Sequence, residues 1–520
     1  MDREQMIQEA VKKRRTFAII SHPDAGKTTL TEKLLLYSGM IQTAGMVKGR
    51  KGRKAAASDW MAMEQERGIS ITSSAMQFTY KDTIINVLDT PGHEDFSEDT
   101  YRTLTAADCA IMVIDASKGV EKQTLKLFEV CRFRKIPVLT FINKMDMPAK
   151  DPLDLMNEVE NTLQIHSYAM NWPIGTGKEF RGVYDREAKE SVYFTKTSHG
   201  GAQKAEIKRI AEVPSEITGE LELLDMAGNV FSREEFLEGM VTPVFFASAL
   251  TNFGVEPFFD AFIHLAPCPH SRIANKLDGT EIEIDPVKTP FSGYVFKLQA
   301  NMDRRHRDSM AFIRICSGRF ERDLIVKNHR LNKEIRLSRP HGMVAGERST
   351  LDFAYPGDVI GVINPGAFAI GDTLSVTGGF NFKPLPQFQP EIFARLHPKD
   401  VGKRKAFDKG IEQLTNEGAI QLLRSTERDG DIIFAAVGQL QFEVMQYRLR
   451  DEYGVDTQLS MLPYQCSAWI LGESKTFSKP STSALVQDKQ GNLMALFNNP
   501  WDKQYAIKQN PKHQLVDVLV

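Results

Sequence analysis

The chain has 520 residues, more than one ordinary hydrophobic core can hold, and about 150 residues per domain predicts roughly three domains. Hydrophobic residues make up 42% and charged residues 25%, which excludes disorder for the bulk of the chain. Lys plus Arg total 65 against 67 for Asp plus Glu, a net charge of -2, so any nucleic-acid contact comes from local patches and not from a chain-wide basic field. The five cysteines (Cys109, Cys131, Cys268, Cys316 and Cys466) are scattered and form no CxxC pair, which argues against a zinc site or a disulfide framework. The amino-terminal segment is charged and lacks an apolar h-region, and no run of about 18 apolar residues occurs. A cytoplasmic protein without a membrane partner is the expectation.

Over residues 1–280, apolar runs of strand length alternate with helical segments. TFAII (Thr16–Ile20), TIINVLD (Thr83–Asp89), CAIMVID (Cys109–Asp115) and PVLTFIN (Pro137–Asn143) read as buried strands, with PVFFAS (Pro243–Ser248) as a late one. Helical spacing occupies Thr28–Tyr37 and Glu121–Arg134. Continuous apolar strands separated by helices predict an α/β domain of P-loop type, its mostly parallel sheet covered on both faces. The rhythm breaks over about 150–240, where WPIGTGKEFRGVYD (Trp172–Asp185) has short, glycine-punctuated β character. This segment reads as an insertion with its own core around Trp172.

Residues 281–386 change character. FSGYVFKLQA, MAFIRICSG and DLIVKN, with the turns YPGD and AIGDTL, fit an antiparallel β-barrel domain. From 387 to 520, after a hinge-like QFQP, strand-like runs alternate with helical spacing at Phe407, Ile411, Leu414 and at Leu440, Val444, Tyr447. That order predicts an α+β domain of the split βαβ, ferredoxin-like kind.

The chemistry-bearing motifs sit at the predicted strand ends. Ser21, His22, Pro23, Asp24, Ala25, Gly26, Lys27, Thr28 and Thr29 follow the first strand and open a helix. Gly26, Lys27 and Thr28 fit the end of a P-loop, with Ser21 in place of its first glycine. Main-chain N–H groups of such a loop face an anion, Lys27 reaches β and γ phosphates, and the Thr28 hydroxyl ligates Mg²⁺. Asp24 reads more naturally as a turn residue than as a cation contact. Asp89, Thr90, Pro91, Gly92 and His93 end the second strand; Asp89 can hold Mg²⁺ through water and the Gly92 N–H can sense a γ-phosphate. Asn143, Lys144, Met145 and Asp146 end a later strand. Asp146 can accept from both N1–H and N2–H of guanine, a donor pair that adenine lacks. Lys144 would lie over the base and Asn143 would join the loops. Ser248, Ala249 and Leu250 can supply a main-chain donor to the base. Together the motifs point to a GTP/GDP site with Mg²⁺.

SHPDAGKTT, SDWMAMEQERGISIT (Ser58–Thr72), DTPGHEDF and NKMD resemble the translational GTPases, the elongation factor G-like family. The resemblance implies that Ser70, standing where the family carries Thr, is the switch magnesium ligand, with Thr72 as the alternative. It also implies that His93 is the catalytic residue that positions the attacking water on the ribosome. Longer segments, among them VKGRKGRKAAASDWMAMEQERGISIT and NWPIGTGKEFRGVYD, resemble the termination branch of that family, covering most of the chain and weakest after about Leu471. Members of that branch are ribosome-dependent GTPases that promote dissociation and recycling of class I release factors. The implied partners are the ribosome, including ribosomal RNA, and class I release factors, for a monomer with no DNA partner. The absence of a GGQ tripeptide accords with a factor that is not itself the peptidyl-tRNA hydrolase. A translocase-like or ribosome-protection GTPase, or a guanine-nucleotide sensor, are the other readings. The basic runs Lys48–Lys54 and Asn301–Asp308 read equally well as RNA contacts or solvated loops.

Overall fold

A computed structural model of the chain describes residues 2–41, 73–195, 203–226, 230–300, 309–338, 340–344, 347–364, 366–385, 387–426, 431–472 and 476–519. Ser70, Thr72 and both basic runs lie outside the described residues.

The first part is a seven-stranded sheet. Its strands are β1 (Arg14–Ser21), β2 (Ser74–Tyr80), β3 (Thr83–Asp89), β4 (Cys109–Asp115), β5 (Val138–Asn143), β6 (His166–Ala169) and β7 (Val241–Phe246). The order is β2-β3-β1-β4-β5-β7-β6, and every pairing is parallel except β2 with β3. Alternate residues of β1 enter different cores: Ala18 and Ile20 face one, Phe17 and Ile19 the other. Burial on both faces is why these strands read as unbroken apolar runs. Helices α1 (Lys27–Tyr37), α2 (Ser97–Ala106), α3 (Lys122–Phe133) and α4 (Val255–Leu265) cover the sheet. Phe262 of α4, for example, lies edge-on to Phe17 at 4.6 Å.

Between β6 and β7 runs an antiparallel sheet of four short strands, Asn171–Ile174, Gly182–Asp185, Glu190–Thr195 and Glu206–Ile210. Trp172 is buried there, edge-on to Phe246, and its indole N–H donates to Glu220 at 2.5 Å. It belongs to packing, as the sequence suggests.

Next comes an eight-stranded antiparallel sheet with Ser292–Ala300 and Ser309–Ser317 at its centre. The hairpin of Arg272–Lys276 and Glu281–Ile284, before it in the chain, pairs with Phe380–Phe382 at its far end.

The last part contains Ile392–Pro398, a helix at Arg404–Asn416, Gln421–Ser425, Ile432–Ala436, α5 (Gln439–Tyr453) and Thr457–Met461. In the sheet these strands run last, first, third, second, all antiparallel, which is the split βαβ order. The sheet then continues through Ala484–Gln487, Leu493–Phe497 and Cys466–Leu471, so the carboxyl-terminal residues extend it.

Buried polar contacts join the parts. Arg314 pairs with Asp108 at 2.6 Å and Arg14 with Asp358 at 2.9 Å. Arg102 of α2 donates to the carbonyls of Glu417 and Gly418 at 3.2 and 3.3 Å.

Candidate nucleotide site

The parallel register brings five strand ends to one edge. Ile19 lies beside Asp89, Asp115 beside Asn143, and Ile142 beside Phe246. Open α/β sheets bind ligands outside the carboxyl ends of their strands, and the motif residues occupy that edge here.

The loop after β1 turns sharply. Asp24 has φ 65°, so it is a turn residue, and Gly26 has φ 101° at the start of α1. Glycine is required at 26 twice over: the left-handed conformation disfavours other residues, and a Cβ would run into the Asn143 amide. Lys27 opens α1, with Thr28 and Thr29 half-buried beside it. The Lys27 ammonium donates to Asp89 Oδ1 at 2.8 Å and to the Thr90 carbonyl. Two of its three N–H donors are thus held toward the β3 loop. Thr90 Oγ1 donates to the Ile19 carbonyl at 2.6 Å, fastening that loop to β1. The Pro91 carbonyl accepts from Thr100, and Gly92 stands so close to the phosphate loop that a Cβ there would lie 3.7 Å from Pro23 Cα. His22 is paired with Glu121 at 3.2 Å.

Asn143 is the joint of the site. Its Nδ2 donates to the Ala25 carbonyl at 2.8 Å and its Oδ1 accepts from the Ala249 N–H at 2.9 Å. One buried amide therefore ties the phosphate loop to the loop after β7, as its motif position predicts. Ser248 N–H is committed to the Phe253 carbonyl at 2.8 Å, and Leu250 is 62% exposed. Met145 is fully buried in the apolar core, so its side chain packs and does not line the site.

Lys144 takes φ 70°, an uncommon conformation for a residue of its kind and a form of strain that gathers at functional sites. It is held there by Asp115, which accepts from the ammonium at 2.7 Å and from both Ser117 N–H and Oγ at 2.9 and 2.6 Å. Burial works against ionisation of Asp115, but these hydrogen bonds hold its carboxyl below the usual range. Sequence reading missed Asp115. The only local signal was an acidic residue ending a strand in register with Asn143. Asp146 follows, and its Oδ1 is a buried oxygen with no hydrogen-bond partner among the described residues. An orphaned carboxylate oxygen costs about 1–3 kcal/mol or more unless a ligand donates to it. The donor set, the glycine cradle and this unpartnered oxygen fit a guanine nucleotide.

His93 Nδ1 accepts from the Asp95 N–H at 3.3 Å and lies 3.4 Å from Asp95 Oδ1, with the imidazole about one-third exposed. The ring stands edge-on to Phe96 at 6.4 Å.

Three family models match successive parts of the chain. Residues 12–268 match the Elongation factor Tu GTP binding domain, 290–377 Elongation factor G domain 2, and 382–507 the Class II release factor RF3, C-terminal domain. Peptide chain release factor 3 of Nostoc punctiforme is 50% identical over 98% of this chain and 95% of that protein. The chain belongs to the peptide chain release factor 3 family. Peptide chain release factor 3 of Synechocystis sp. is 52% identical over 95% of this chain and 92% of its own length. A crystal structure from Thermus thermophilus superimposes with a TM-score of 0.72 at 20% identity, over 92% of this chain and 72% of that one, which shows a shared fold. Among the described residues no helix is long and apolar enough to cross a membrane.

Proposed function

We propose that this release factor 3 family member is a ribosome-dependent GTPase of translation termination, which promotes dissociation and recycling of class I release factors after peptide release. The unpartnered Asp146 oxygen at the end of β5 carries the nucleotide part of the reading. Guanine would satisfy it with a donor pair, and adenine would leave it bare. With the Ser248 and Ala249 N–H groups already engaged, the Leu250 main chain is the donor left in that loop for the base. The stem of Lys144, pinned by Asp115, covers the ring. The loop Ser21–Thr29 surrounds the phosphates with N–H groups at a helix N-terminus, and Lys27 adds a positive charge. The Thr28 hydroxyl, Asp89 through water, and Ser70 or Thr72 would hold a magnesium ion, which would supply charge neutralisation at the phosphates.

Hydrolysis needs an oriented water and little covalent help. His93 is suited to that orientation: its Nδ1 is turned inward to Asp95, which leaves Nε2 to hold a water in line with the γ-phosphorus once the ribosome settles the loop. Gly92, packed against Pro23, reads whether the γ-phosphate is present. The match of residues 382–507 and the full-length relatives support the termination role. The testing experiment is a peptide-release time course with a substoichiometric class I factor. Addition of this protein with GTP should convert a single round of release into multiple turnover. The same rate with and without it would refute the proposal.

A further inference from the structure

The loop that carries His93 is fastened to the last domain by a residue that the nucleotide chemistry does not use. The first N–H groups of a helix have no intrahelical acceptor and need a cap. α5 starts after Gly438, which has no side chain to offer. The Leu440 N–H at that helix end instead donates to Asp95 Oδ2 at 2.7 Å, across 345 residues of chain. The other oxygen of the same carboxylate is the one that faces His93 Nδ1. Asp95 is only 14% exposed, and the next residue, Phe96, is buried in a cluster with Leu440 and Val444, against which Tyr447 packs. Gly438 has φ -142° and ψ 165°, extended backbone open to any residue. A Cβ at 438 would nonetheless overlap the Asp95 carboxylate, so close approach is what calls for glycine there. A cavity of about 50 Å³ bordered by Phe96, Arg102 and Gln441 lies beside this seam.

We propose that Asp95 is a positioning residue that couples His93 to the placement of the last domain: its main-chain N–H holds the imidazole at Nδ1 while its carboxylate caps α5 from another domain. A movement of the loop that re-aims His93 must then drag or release α5. Coupling of this kind is reciprocal, so the placement of α5 biases the loop by the same factor. The proposal rests on the nucleotide reading above.

The test compares full-length wild type with D95A, G438S and the double variant. Three quantities are measured: affinity for fluorescent GDP, ribosome-stimulated kcat and KM for GTP, and energy transfer between dyes on the first and last domains. D95A should bind GDP within about twofold of wild type. Its kcat should fall about tenfold or more at unchanged KM, and its energy-transfer response to a non-hydrolysable GTP analogue should be lost. G438S alone should displace Asp95 and lower kcat in the same way. In D95A/G438S the serine hydroxyl stands at the N-cap position, so the thermal midpoint should recover while kcat and the energy-transfer response stay low. If D95A is too unstable to assay, the double variant, with its cap restored, carries the comparison. Recovery of both responses in the double variant would overturn the proposal, because capping alone would then explain Asp95. Wild-type kcat and energy transfer in D95A would overturn it as well. A wild-type protein that binds no guanine nucleotide would instead sink the nucleotide reading, and this coupling with it.

Discussion

Replacing Asn143 by alanine isolates the joint of the site. The residue is 2% exposed and makes two hydrogen bonds, one to the Ala25 carbonyl and one from the Ala249 N–H. At about 1 kcal/mol each, their loss amounts to about 2 kcal/mol. The carbonyl and N–H left behind are buried, and each adds about 1–3 kcal/mol where water does not reach it. Part of this cost falls on the free protein and shows as a lower thermal midpoint. The rest falls on the site, whose two walls are no longer tied. About 2 kcal/mol corresponds to about thirtyfold in affinity, so GDP binding should weaken by between about threefold and thirtyfold. Preference for GDP over ADP should persist, because Asp146 is untouched. Asn143→Asp should be at least as damaging: it keeps an acceptor for Ala249 but turns a carboxylate oxygen toward the Ala25 carbonyl. Titration with a fluorescent GDP and a thermal melt without nucleotide measure both parts. Wild-type affinity together with an unchanged melt for Asn143→Ala would refute the reasoning.

His93→Ala should leave GDP and GTP affinities near wild type while ribosome-stimulated turnover drops by at least about tenfold; steady-state hydrolysis with ribosomes reads this, and unchanged turnover would reject the assigned role. Asp115→Ala removes the anchor that holds Lys144 at φ 70°, and the loss of one charge-assisted hydrogen bond predicts GDP dissociation about tenfold faster in stopped flow. Asp108→Asn leaves Arg314, 1% exposed, without its carboxylate, at a cost of about 3–5 kcal/mol at the joint between the first two domains. Burial opposes the Asp108 charge, but Arg314, Arg272 and His270 hold its carboxyl below the ordinary value. A carboxyl depressed by folding stabilises fully above its unfolded value near 4, and that stability is lost as pH falls through the folded value. Urea midpoints of wild type and Asp108→Asn should therefore differ most at neutral pH and converge below about pH 4. A gap that widens in acid would contradict the pairing.

The parallel sheet was legible because β1, β3, β4 and β5 are buried on both faces and leave continuous apolar runs. The site was legible because its motifs fall on the ends of those runs, where geometry concentrates N–H donors and carboxylates. Asp115 was not legible, since its partner Lys144 lies 29 residues away and only the β4–β5 register brings them together. The cap made by Asp95 was not legible either, because its partner is Leu440, at the start of a helix in another domain. The hairpin Arg272–Lys276 with Glu281–Ile284 carried a usable signal in Asp278-Gly279, with Gly279 at φ 86°, a turn pair that marks hairpins. The short strands Ala484–Gln487 and Leu493–Phe497 left no clear pattern, because each is only part of an extended sheet that the chain completes elsewhere.

Calorimetric titration of the wild-type protein with GDP and with ADP, in magnesium buffer, addresses the Asp146 oxygen directly. A measurable GDP isotherm is expected, with ADP binding weaker by about 10⁴, the penalty for a buried carboxylate left without its donor pair. Equal affinity for the two purines would contradict it.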